Sequence, residues 1–168
     1  MGLGNTALGT FSLFSVTTGN FNTAVGAGAL DLNTADSNTA TGAASLLFNT
    51  TGTENTANGT AALEFNDTGN QNTANGAFAL FSNIEGIRNN AIGSGALLNN
   101  TGDSNTAIGA DALSTNTTGG LNVAIGNIAL RDSEGNANTA IGVGALFEAT
   151  GGFNTAVGRS SRAKYYHR

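Results

Sequence analysis

Small, polar and aliphatic residues follow one another along this chain in a fixed order that returns every 16 or 17 residues. The order is clearest when aligned on an Asn with Ala two places later and Gly four places later. That Asn occurs ten times, as Asn5, Asn22, Asn38, Asn55, Asn72, Asn89, Asn105, Asn122, Asn138 and Asn154. Ala fills the third place in every copy, from Ala7 to Ala156, and Gly the fifth, from Gly9 to Gly158. Eight residues after the Asn stands Leu in nine copies, Leu13 to Leu146, and Arg162 in the last, with Ala or Ser always before it. A turn-like cluster closes many units, as in NTTG at 49–52, NDTG at 66–69 and NTTG at 116–119.

So short a period leaves no room for a helix-turn-helix unit and contains no helical spacing of apolar residues. The stretches between turn signals are 4–5 residues long, which suits short strands. Gly, Asn and Thr are poor helix formers, and Gly punctuates the units. The pattern therefore predicts an all-β fold, a parallel β-solenoid with one coil per repeat, each coil bonded to the next through its backbone. At a strand spacing of ~4.7–4.9 Å, ten coils make a rod on the order of 45 Å long. The repeat domain spans residues 1–158, and a basic tail or cap follows over 159–168.

Strand alternation assigns the faces. Asn, Ala and Gly share one side, and the Ala place never accepts a larger residue, so this side is expected to line a narrow interior. An amide buried there without partners would cost roughly 1–3 kcal/mol, so the ten Asn residues must form a hydrogen-bonded ladder. Leu fills the rest of the core. The other side carries Thr in the second place of eight copies, with Asn90 and Val123 in the remaining two. Its fourth place holds Leu8, Val25, Ile92, Ile108, Ile125, Ile141 and Val157, interrupted by Thr41, Asn58 and Asn75. A second apolar stripe falls nine to ten residues after each Asn: Phe14, Leu32, Leu47, Phe48, Phe65, Phe81, Leu98 and Phe147. A thin roll filled with Ala, Asn and Leu cannot bury both stripes. Contact between copies can.

Composition narrows the picture. Apolar residues make up 39% of the chain and recur in register, which a disordered Gly-rich segment has no reason to do. The absence of Pro excludes collagen, and the absence of Cys excludes a disulfide scaffold and thiolate metal sites. Four of the six basic residues lie in the last ten, leaving Arg88 and Arg131 against eleven acids over 1–158, a formal charge of −9. Such a body repels nucleic acid and anionic membranes, and no apolar run is long enough to insert in a bilayer. Any export signal or anchor is expected on sequence outside this chain.

Candidate chemistry is sparse. With His167 the only His and no Cys, catalytic triads and His-based metal sites lack raw material. The pairs Asp31/Asp36 and Asp132/Glu134 read as turn residues rather than a catalytic carboxylate pair. The sequons at Asn49, Asn66, Asn99 and Asn116 also read as turn residues. No cofactor, metal site or enzymatic activity is expected.

The strings NTAVG at 22–26 and 154–158, NNAIG at 89–93, NTAIG at 105–109 and 138–142, and NVAIG at 122–126 resemble the head repeats of trimeric autotransporter adhesins, and repeats in bacterial and phage fibre proteins. The likeness covers about residues 3–160. Here the Asn stands one residue closer to the Gly, and each coil is two or three residues longer. The resemblance implies a left-handed parallel β-roll assembled as a homotrimer, with the aliphatic column toward the threefold axis. It also implies an extracellular place, on a cell surface or virion fibre, and an outer surface for an unidentified receptor or matrix. On that axis, Asn58 and Asn75 would form a polar layer around ordered water or a small anion. Two other readings fit the same residues: an ice-binding solenoid using the Thr column, or a filament subunit stacking end to end through unpaired strand edges.

Overall fold

The computed structural model describes residues 2–161. Of the tail or cap expected over 159–168, residues 162–168 lie outside the described residues. Ten strands, one per repeat, form a single parallel sheet in sequence order, from β1 (Thr6–Leu8) to β10 (Thr155–Val157). They make about nine turns of a β-solenoid, and no helix occurs among the described residues. Coils are numbered 1 to 10 by their strand. Register is strict: Ala7 pairs with Ala24, Ala24 with Ala40, and so on to Ala140 with Ala156. Coil lengths of 16 and 17 residues therefore do not disturb the sheet.

Each strand is only three residues long, shorter than the turn spacing suggests. The rest of the coil is a succession of turns, and its backbone visits the left-handed region repeatedly. Leu13, Leu30, Leu46, Leu63, Leu80, Leu97, Leu113, Leu130 and Leu146 all have φ near +50°. The residue two before each Leu, and the one just before each ladder Asn, take the same conformation, as at Ala61 (φ 56) and Glu54 (φ 59). A left-handed L-residue costs roughly 1–2 kcal/mol. Burying a Leu side chain returns roughly 1.5–3 kcal/mol. Burial wins, and the Leu amide also donates to the next coil, as from Leu46 N to Ala62 O at 3.0 Å. The core is accordingly a stack of Leu and Ala, with seven of these Leu side chains wholly inaccessible.

The Gly at the fifth place ends each strand where only Gly fits. Gly59 has φ +135°, and a Cβ on it would lie 2.7 Å from the Gly76 backbone of the next coil. The one-residue difference between long and short coils falls in the turn after the core. In long coils the Asn eleven places after the ladder Asn donates to the carbonyl three residues on (Asn49 to Gly52 O). In short coils it donates two residues on (Asn33 to Ala35 O, Asn100 to Gly102 O).

Candidate functional site

The strand sequence sets three parallel columns on the sheet. Ala at the strand centre points inward and is fully buried from Ala24 to Ala140, while its neighbours point outward. The ladder Asn just before each strand is buried in coils 2 to 9, and half-buried as Asn5 and Asn154 at the two ends. Its Oδ1 accepts the backbone N–H of the next ladder Asn at every step. The bonds run from Asn22 N to Asn5 Oδ1 at 2.8 Å through Asn154 N to Asn138 Oδ1 at 2.9 Å. Its Nδ2 donates to a carbonyl in the turn that closes the same coil, as from Asn55 to Gly69 O and from Asn72 to Gly86 O. Each amide side chain thus replaces a backbone ladder bond where the chain turns into the strand. The expected internal ladder is present.

A second Asn ladder runs beside it. Asn33, Asn49, Asn66, Asn83, Asn100 and Asn116, each eleven residues after a ladder Asn, are all fully buried. Asn49 Nδ2 donates to Asn33 Oδ1, Asn66 to Asn49, Asn83 to Asn66 and Asn116 to Asn100, at 2.7–2.8 Å. Three of the four sequon residues, Asn49, Asn66 and Asn116, belong to this column, so the turn-residue reading missed their role. Glycosylation there would require opening the core. Asn99 alone is exposed, and it donates to Ser114 O. The signal that could have revealed the column was present: a recurrent Asn in a fixed place, as regular as the first.

The outward columns carry no charged residue over ten strands. Leu8 and Val157 at the two ends, and Ile92, Ile125 and Ile141 between them, are exposed; Val25 and Ile108 are half-buried. Thr41, Asn58 and Asn75 are exposed, and Asn58 pairs in register with Asn75, so the two amides are stacked neighbours on the surface. Asn90, which interrupts the Thr column, keeps a buried Oδ1 without a partner.

The second stripe forms an aromatic flank. Phe48 stacks on Phe65 with centroids 5.1 Å apart, Phe65 meets Phe81 edge-on at 4.9 Å, and Phe78 meets Phe81 at 5.6 Å. Leu32, Phe48, Phe65, Asp67 and Ile84 border a shallow groove beside it. Farther along, Arg131 lies over the Phe147 ring at 4.4 Å and pairs with Asp132 at 3.2 Å. Partial burial against this flank raises the Glu64 carboxyl above its ordinary range.

The carboxylates serve the coils. Asp36 accepts from Asn20 N, and Glu134 from Thr117 N and Oγ1; Asp31 accepts from Ser15 Oγ. No cluster of His, Asp or Glu able to hold a metal occurs among the described residues. No helix among them is long and apolar enough to cross a membrane. Compared with family models, curated proteins and solved structures, the chain matches none.

Proposed function

We propose that this chain is a rigid structural segment, not an enzyme, that associates with two copies of itself along the outward face of its sheet. The carrying observation is that face: ten stacked strands present two uncharged columns, seven of whose fourth-place residues are aliphatic. The body holds eleven acids, yet none falls on these columns. A long uncharged stripe with exposed Ile and Val is the composition of an interface core. The resemblance to adhesin heads and fibre repeats supports three copies, a left-handed roll, and service outside a cell as a rod for attachment or display. In that assembly the aliphatic column faces the axis, and Asn58 and Asn75 surround water or a small anion there.

Stiffness follows from the repeat. Every coil is bonded to its neighbours through the sheet and the first amide ladder, and several also through the second, so bending the rod breaks many bonds together. Sedimentation equilibrium tests the proposal: the expected mass is three times the 16.7 kDa chain. A lone chain at micromolar concentration would refute it.

One observation favours a second reading, ice binding. Thr6, Thr23, Thr39, Thr56 and Thr73 stand in strict parallel register. With the fourth-place column about 6.6 Å away along the strand, they form a flat two-dimensional array. Thermal hysteresis from a monomer would establish this reading in place of the first.

A further inference from the structure

We propose that the fold binds one internal water molecule, held by Asn116, Ser133, Gly135 and Asn138, in the place of a carboxamide that coil 8 lacks. Ser133 stands where coils 2 to 7 carry the second-ladder Asn, and it is fully buried. In the equivalent short coils that Asn makes a fixed set of bonds. Asn100 Nδ2 donates to Gly102 O at 2.8 Å, and Asn100 Oδ1 accepts from Asn105 Nδ2 at 3.0 Å. Asn33 does the same with Ala35 O at 2.8 Å and Asn38 Nδ2 at 3.2 Å. The carbonyl in each case accepts twice, the second donor being the ladder Asn of the preceding strand.

Ser133 reproduces none of this, and the groups around it are left correspondingly short. Ser133 Oγ is buried without a partner, and so is Asn116 Oδ1 one coil before it, as Asn83 Oδ1 is one coil before Asn100. Gly135 O accepts from Asn122 Nδ2 at 2.8 Å and lacks the second donor of its counterparts. Asn138, the counterpart of Asn38 and Asn105, directs one Nδ2 hydrogen to Gly151 O. Its other hydrogen corresponds to the one those residues give to the Asn side chain.

Two acceptors and two donors thus converge where the side chain is two heavy atoms shorter than Asn, a difference of about one water volume. A water there donates to Asn116 Oδ1 and Gly135 O and accepts from Ser133 Oγ and Asn138 Nδ2, completing all four of its bonds. Leaving buried polar atoms unpaired is unfavourable, so occupancy is expected to be complete. A cation does not suit the site, because an amide N–H points into it.

A crystal structure of the full chain at high resolution should show a solvent peak about 2.8 Å from those four groups. In the variant S133N the peak should vanish, with the new carboxamide donating to Gly135 O and accepting from Asn138 Nδ2, as Asn100 does with Gly102 and Asn105, and Tm should rise by about 2–4 °C. S133A should keep the peak with three partners, while S133V should exclude it and lower Tm. Exchanging sodium for choline should leave Tm unchanged. Absence of the peak in the native chain, equal Tm for S133N, S133V and native protein, or a fall in Tm in choline would overturn the proposal.

Discussion

Coils 3 to 5 and coils 6 to 9 share the inner Ala, Leu and first-ladder Asn columns but place their apolar surface differently. In coils 3 to 5 the outward face is polar, with Thr41, Asn58 and Asn75 exposed, and the flank is aromatic, with Phe48, Phe65, Phe78 and Phe81 in contact. In coils 6 to 9 the face is aliphatic through Ile92, Ile108, Ile125 and Ile141. The flank there has lost its run of rings: Leu98, Ser114 and Arg131 precede a single Phe147. Three inner columns do not change across this boundary. Ala, Leu and the first-ladder Asn persist because each touches the same residue one coil away, and a change in one breaks two contacts. Outer columns are free of that constraint, so they can encode where a neighbour docks.

The comparison can be broken most forcefully at the aliphatic face. I125K combined with I141K should reduce the proposed trimer to a single chain by light scattering, while N58K should perturb it less, because that position already presents a polar group. Retention of the assembled mass in the double variant would move the interface elsewhere. Next in size, G59A and G109A should each destabilise the fold by upward of about 3 kcal/mol in denaturant melts. Gly109 at φ +136° is as confined as Gly59, so equal costs would confirm that the interior is one structure across both regions.

Cutting the second ladder comes third. N66A removes bonds to Asn49 and Gly69, leaves Asn49 Oδ1 without a donor and takes one of the two acceptors of Asn83 Nδ2, and should cost about 3 kcal/mol. N99A, on the exposed sequon, should cost less than about 0.5 kcal/mol. Smallest is E64Q on the aromatic flank. Burial raises the Glu64 carboxyl, so the folded chain holds that proton more tightly than the unfolded chain. Stability from this group is therefore lowest above the raised value and recovers as pH falls through it. The Gln variant should melt slightly higher at pH 7, with the difference gone below the ordinary carboxylate range.

Much of this architecture could be read before folding. The period, the buried Ala, the Leu stack and the first Asn ladder all follow from residues that recur in the same place, because parallel in-register stacking makes each residue its own neighbour. The second ladder was equally regular, but Asn in a turn cluster has an ordinary explanation as a turn former, and nothing in the spacing tells which way its amide points. That direction is set by the left-handed Leu three residues earlier, a conformation the sequence disfavours and only the closed coil imposes.

The amino-acid order by itself determined that the chain coils, how often, and which small residues line the inside, since hydrophobic and amide columns work only when repeated in register. Tertiary structure decided which turn residues are buried, which Asn Oδ1 atoms are left unpaired, and on which side the apolar surface lies. Those depend on backbone dihedrals in the turns, and there packing of the whole coil outweighs the preference of any single residue.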